Sequence, residues 1–330
     1  MTESFDFELP KVVSSISQRG CRRVLLQFPE GLKRHAPEVA SELSEKVPGC
    51  QVIVSGEPCF GACDVPQTDA DLVVNFGHLP IPSVETPMPV LFIQARSSAD
   101  PVPAVENALS VLPERVGVVT TAQHLHTLPT IIDLLENNKR LVRVGQGDGR
   151  IFSSGQVLGC NTSVARSISG EVEKFLFVGT GMFHPLAVAL ATGKDVVVAD
   201  PVTGEVGDVS ELKDNVLRQR HALIETAKAA RRFGVLLSTR VGQRREQVAL
   251  GVAKALRSHG KGAVVVESDT VTPEKLETFG LDCWVSTACP RLAIDDQAIF
   301  AKPVITPVEL EIALGIRPWK EYVIDEIFAF

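Results

Sequence analysis

Short β-branched runs recur along this chain, each stopped by Gly, Pro or Asp and many separated from the next by a helical pattern. That alternation restricts the fold to parallel βα units. The runs fall into three groups of four. The first comprises Arg23–Phe28, Gln51–Ser55, Asp71–Phe76 and Val90–Gln94, with a helix from about Pro37 that sets Val39, Leu43 and Val47 on one face. The second comprises Arg115–Thr120, Leu141–Val144, Lys174–Val178 and Asp195–Ala199. Ile131, Leu134 and Leu135 mark a helix here, and Gly193 stops another. The third comprises Gly234–Thr239, Ala263–Glu267, Cys283–Ser286 and Val304–Thr306. Its helix carries Val248, Val252, Ala255 and Leu256 and closes at Gly260. The predicted fold is therefore α/β. It has three similar domains, residues 1–110, 111–220 and 221–330, each a four-stranded, mainly parallel sheet flanked by helices.

A chain of 330 residues with 45% hydrophobic and 22% charged side chains can bury several such cores. Forty acidic against thirty-three basic residues give a net charge of −7, which argues against direct binding to nucleic acid or to an anionic membrane. No apolar run approaches the roughly 18 residues of a membrane span, and the start MTESFDFELP lacks the features of a signal peptide. A cytoplasmic location is expected. Seven cysteines in a chain of this size do not suggest a disulfide framework, so thiols are available as metal ligands.

Ligands of open parallel sheets gather beyond the carboxyl ends of the strands. Three loops there carry cysteine: GEPCFGACDV (Gly56–Val65), GQGDGRIFSSGQVLGCN (Gly145–Asn161) and STACPR (Ser286–Arg291). Five glycines between positions 145 and 159 give the second loop the backbone freedom to approach a bulky ligand. Thiolates suit iron-sulfur clusters and zinc alike, and one thiolate from each of three domains leaves a coordination position open. Cys21, Cys50 and Cys283 flank or lie within strands and read as small buried side chains. Cys59 and Cys63 form a C-x3-C pair. The C-x3-C-x2-C loop of radical enzymes is absent, because Val65 and Pro66 follow Asp64.

Seven segments in order resemble the archaeal diphthamide synthase family, the 2-(3-amino-3-carboxypropyl)histidine synthases. They are LLQFPEGL (Leu25–Leu32), FGACD (Phe60–Asp64), GQVLGC (Gly155–Cys160), GTGMFHPLAVALATGKDV (Gly179–Val196), FGVLLSTRVGQ (Phe233–Gln243), STACPRLAIDD (Ser286–Asp296) and TPVELEIALG (Thr306–Gly315). The resemblance implies that Cys63, Cys160 and Cys289 are the ligands of one 4Fe-4S cluster arranged with pseudo-threefold symmetry. Cys59 is then a neighbour. Phe60 replaces the commoner tyrosine of the family, and GHLPIP (Gly77–Pro82) departs from its usual continuation, leaving His78 as the recognisable part.

The implied activity is that of an atypical radical enzyme. S-adenosylmethionine is cleaved between sulfur and the methionine γ-carbon, and the 3-amino-3-carboxypropyl group passes to C2 of a histidine in translation elongation factor 2, the first step of diphthamide biosynthesis. An external electron donor and a homodimer are implied too. The alternatives are a quinolinate-synthase-like 4Fe-4S lyase, a non-catalytic cluster-bearing subunit, and a zinc site.

Several other residues are candidate contacts for S-adenosylmethionine. Gly179 and Gly181 end a strand and can present backbone N–H groups, or form a plain turn. Arg291 can pair with a carboxylate through both guanidinium nitrogens, or form a surface ion pair with Asp295 or Asp296. His184 can touch the ligand or bond locally. Gln27, Glu30 and Gln243 lie where strand ends meet the cleft, with turn formation and capping as their bland roles. Arg244 and Arg245 read as surface charges able to attract an acidic partner.

Overall fold

The computed structural model describes residues 4–329. Strands β1 (Phe5–Asp6), β2 (Arg23–Gln27), β3 (Gln51–Val54), β4 (Leu72–Phe76), β5 (Val90–Ile93) and β6 (Arg96–Ser97) open the chain. Next come β7 (Arg115–Thr120), β8 (Leu141–Arg143), β9 (Lys174–Val178), β10 (Val196–Ala199) and β11 (Val206–Asp208). The last group is β12 (Arg232–Ser238), β13 (Gly262–Ser268), β14 (Cys283–Ser286) and β15 (Val304–Ile305). The main sheets run β3-β2-β4-β5, β11-β10-β9-β7-β8 and β13-β12-β14-β15. In each, the first strand of the group lies between its second and third, and the fourth lies outside the third. All pairings among these twelve strands are parallel.

The sequence pattern thus located all three sheets but missed the strands that are too short to show periodicity. The second sheet has a fifth strand, β11, antiparallel to β10, and β1 pairs antiparallel with β6. The repeat also has a packing counterpart. Gly117 in β7 faces Phe175 of β9, and Gly234 in β12 faces Trp284 of β14, each in register. A Cβ at either glycine would overlap the facing ring. An aromatic on the third strand fills the space that the first strand leaves empty.

Strands carry the cores because their side chains are apolar on both faces, as buried parallel sheets require. In the third sheet Phe233, Val235 and Leu237 pack with Val252 and Leu256 of the helix Glu246–Ser258, while Leu236 and Trp284 pack on the other face. Each fully buried side chain of this size contributes about 1.5–3 kcal/mol. The helix Ser210–Ala229 buries Arg220 against Glu309 (Nε to Oε1 2.7 Å), and the same guanidinium donates to the carbonyls of Ala293 and Val304. Leu186, Val216, Ile294 and Ile324 close the junction of the second and third sheets, and Ala62, Cys63 and Ile81 pack with Leu158 between the first and second. Among the described residues no helix is long and apolar enough to cross a membrane.

His124, just after β7, is buried and its Nδ1 has no partner. Burial, then the nearby His126, pushes its pKa from an ordinary 6.5 down to about 4. The folded state therefore holds this ring neutral. Its contribution to stability is complete above pH 6.5 and is lost as the pH falls toward 4, by up to about 3 kcal/mol. Urea unfolding at pH 7 and pH 5 should show a smaller acid-side loss for His124→Gln than for the parent chain.

Candidate functional site

Cys63 lies between β3 and β4, in a loop fixed from below by a chain of side-chain amides. Gln27 Nε2 donates to the Asp64 carbonyl (2.7 Å), Asn75 Nδ2 donates to Gln27 Oε1 (2.7 Å), and Asn75 Oδ1 meets His78 Nδ1 (2.8 Å). Asn75 also points an N–H at the Cys59 sulfur (3.6 Å). Gln27 is thus spent on holding the loop, and it does not line the cavity described below. From the third sheet, the turn after β12 closes over the same loop. The Gly242 N–H donates to the Cys63 carbonyl (3.1 Å) and Gln243 Nε2 to the Cys63 sulfur (3.4 Å). Only glycine fits at 242, since a Cβ there would overlap the Cys63 backbone.

Cys160 ends the glycine-rich loop between β8 and β9, which runs beside the end of β7 through bonds between Thr120 and both Gly155 and Val157. The C-terminal segment straps this loop down. Ile327 N donates to the Cys160 carbonyl (2.8 Å), Asn161 Nδ2 to the Ile327 carbonyl (2.9 Å), and Thr162 Oγ1 to Glu326 Oε1 (2.8 Å). Arg166 pairs with the same Glu326 carboxylate at 2.6 Å. Cys289 follows β14 at the start of the helix Pro290–Ile294, where the Arg291 N–H faces its sulfur.

Burial raises the pKa of all three thiols, and Cys63 is pushed up to about 12. The sulfurs also act on one another: Cys160 raises Cys63, and both raise Cys289. The geometry agrees: Gly242 and Gln243 bond Cys63, Arg150 of the Cys160 loop bonds Gly242, and Arg245 bonds the carbonyls just before Cys289, so the three cysteine loops adjoin. Arg150 counters the rise at Cys63 and Cys160, Arg245 adds to this at Cys160, and Arg291 does the same at Cys289. Among the described residues no three His, Cys, Asp or Glu side chains converge tightly enough to grip a single metal ion. The donor set fits a larger group reached from three sides, with positive charge around it to favour thiolates.

Arg245 is not a surface charge. It is buried, donating to the carbonyls of Thr287 (2.7 Å) and Ala288 (3.2 Å) just before Cys289 and pairing with buried Asp325 (Nη1 to Oδ1 3.0 Å). Arg150 is buried too and donates to the Gly242 carbonyl (3.0 Å). Arg244 behaves as expected, half-exposed beside Glu246 and Glu267. Burial of an arginine leaves no local mark in sequence, because its partners lie 42 to 92 positions away. Cys283 is buried as expected, whereas Cys21 and Cys50 are half-buried, packed against the first core just before β2 and β3.

A cavity of about 420 Å³ opens between the first and third sheets, within the range of small-molecule sites. Of the predicted residues, Glu30, Gln243, Cys289 and Arg291 line it, together with Cys59 and His78. Glu30 is paired with Lys33 (2.6 Å). Arg291 forms the ion pair with Asp295 (2.8 Å) and lies 3.9 Å over the Phe183 ring while still facing the cavity. His184 stacks on Phe177; burial, then Arg291 and His78, push its pKa down to about 4. Gly179 and Gly181 adopt positive φ (155° and 78°) in the turn after β9, and neither they nor His184 line the cavity. Phe60 and Arg240, which sequence reasoning had not linked to a ligand, form part of the wall, with the guanidinium 4.4 Å from the ring centroid.

Three alike α/β units that close their cysteine loops around one point define a three-domain protein with a shared thiol centre. Residues 28–324 match the family model described as "Putative diphthamide synthesis protein", and the chain belongs to that family. It is 38% identical to the 2-(3-amino-3-carboxypropyl)histidine synthase of Pyrococcus horikoshii, over 97% of this chain and 94% of the relative. It is 30% identical to subunit 1 of the Schizosaccharomyces pombe synthase, over 97% of this chain and 76% of that one. A crystal structure of Dph2 from Pyrococcus horikoshii with a 4Fe-4S cluster superposes with a TM-score of 0.89 at 36% identity, covering 98% of this chain and 94% of that one.

Removing one partner of the Arg245–Asp325 pair strands a buried charge, at a cost of about 3–5 kcal/mol. Asp325→Ala should lower the urea midpoint accordingly. Glu267→Ala, which frees only the half-exposed Arg244, should change stability by no more than about 1 kcal/mol.

Proposed function

We propose that this chain is a 2-(3-amino-3-carboxypropyl)histidine synthase that holds one 4Fe-4S cluster on Cys63, Cys160 and Cys289. The cosubstrate is S-adenosylmethionine, and the 3-amino-3-carboxypropyl group is transferred to a histidine of translation elongation factor 2. The observation that carries this reading is the meeting of three thiols from three separate sheets, beside a cavity that reaches Cys289. When bound, the cluster supplies the electron that breaks the sulfonium's bond to the methionine γ-carbon.

The chain's own residues hold, orient and screen. Cys63, Cys160 and Cys289 would hold the cluster through three thiolates, and the cavity that reaches Cys289 would give the cosubstrate access to it. Gln243 donates to the Cys63 sulfur, and Arg150 offsets negative charge at Cys160. Arg291, at the cavity wall, orients the methionine carboxylate, which displaces or shares its contact with Asp295. His184 and His78 stay neutral, available as hydrogen-bonding groups rather than as repelling cations. Gly179 and Gly181 give the turn beside them its shape, Glu30 shapes the opposite rim, and Gln27 holds the Cys63 loop from below. An external donor supplies the electron, and the active form is a homodimer. The division into units 1–110, 111–220 and 221–330 belongs to the same reading, the second junction falling inside the helix Ser210–Ala229.

Anaerobic incubation with reductant, S-adenosylmethionine and elongation factor 2 should release methylthioadenosine and add the 3-amino-3-carboxypropyl mass to one histidine. An intact cluster with no consumption of S-adenosylmethionine would contradict the proposal, as would 5′-deoxyadenosine as the main product. Replacing Cys63, Cys160 or Cys289 singly by Ala should abolish or greatly reduce the cluster's visible absorbance after reconstitution. Cys59→Ala should retain it.

A further inference from the structure

The strand order of the third sheet reverses direction between β12 and β14, so a crevice opens beyond their carboxyl ends. The cavity occupies that crevice: Ser238, Arg240 and Gln243 reach it from the end of β12, and Ala288 and Cys289 from the end of β14. The neighbouring strand β13, second in its group, ends at Ser268, and Asp269 follows it on the same rim. In dinucleotide-binding sheets wound in this way, an acidic residue at the end of the second strand accepts hydrogen bonds from ribose hydroxyls. Asp269 stands in the corresponding place here.

Its surroundings suit that task. Asp269 Oδ1 accepts from Arg240 Nε and Thr239 Oγ1, both at 3.3 Å, and Oδ2 accepts from Thr270 Oγ1 at 3.2 Å. A carboxylate offers about four acceptor positions, so Oδ2 has one to spare. The side chain is 66% exposed although it is anchored. Arg240 Nε also lies 3.1 Å from Asp64, the residue after Cys63, which ties Asp269 to the first cysteine loop through a single guanidinium. Phe60, Val271 and Leu292 supply apolar wall nearby for a purine base. The other carboxylates are placed differently: Glu30 is engaged by Lys33, and Asp296 adjoins the Arg291–Asp295 pair.

We propose that Asp269 is a specificity-determining residue that accepts hydrogen bonds from the vicinal ribose hydroxyls of the adenosyl group. Anchoring the ribose at this rim leaves the methionine portion to extend toward Cys289 and Arg291. The inference rests on the reading that S-adenosylmethionine is the cosubstrate, and it adds which side chain recognises the sugar.

The test is anaerobic equilibrium dialysis of the cluster-loaded chain against S-adenosylmethionine and against its 2′,3′-dideoxyribose analogue. The parent chain should bind the natural compound about tenfold more tightly, because the analogue leaves the carboxylate without its partners. Asp269→Ala and Asp269→Asn should bind S-adenosylmethionine about tenfold more weakly and the analogue almost as before, so that most of the difference vanishes. Asp296→Asn should keep the difference. An equal loss for both compounds in the Asp269 variants would overturn the proposal, as would a difference that survives in them or disappears in Asp296→Asn. If the parent binds S-adenosylmethionine without discriminating, the ribose assignment alone fails. If the parent binds neither compound, the cosubstrate reading fails and Asp269's role with it.

Discussion

Three sulfurs drawn from distant points of the chain are held near one another, Cys63 buried and Cys160 and Cys289 half-buried, and much of the remaining structure answers to the cost of doing so. A thiolate in such a place is disfavoured by desolvation and by its two neighbours. Buried Arg150 and Arg245 supply the compensating positive charge, and each is itself fixed by carbonyls or a carboxylate from another part of the chain. The sulfurs are thus held by interactions that also fasten the three sheets to one another.

Gly242 and the C-terminal segment show how close that fastening is. The turn carrying Gly242 lies against Cys63 so tightly that no side chain fits. Residues 325–327 reach across to the Cys160 loop and to Arg245 at once. A ligand site built at a junction in this way is formed only when all three units are folded and docked. That dependence supplies a physical reason for one unbroken chain to carry all three units.

The sheets were legible because strands buried on both faces must be apolar throughout, and runs such as Arg115–Thr120 and Gly234–Thr239 say so locally. The two-residue strands β1 and β6 and the short antiparallel β11 carry too few side chains to show a period. Cys63, Cys160 and Cys289 stood out by their loops and by family resemblance, and the fold brings them together. The roles of Arg245, Asp325 and Glu326 were hidden, since nothing near them in sequence distinguishes a buried ion pair from a surface one. Gln27 was correctly placed at a strand end, yet its amide turns into the loop beneath Cys63 and leaves the cavity to Glu30, His78 and Arg291.

The central claim is that these three thiols hold one cluster and leave one of its irons open to S-adenosylmethionine. Mössbauer spectroscopy of the anaerobically reconstituted, 57Fe-labelled chain tests it most directly. On adding S-adenosylmethionine, one iron subsite should change its isomer shift and quadrupole splitting while the others keep theirs. A spectrum that S-adenosylmethionine leaves unchanged, or a reconstituted chain that takes up no iron, would contradict the account.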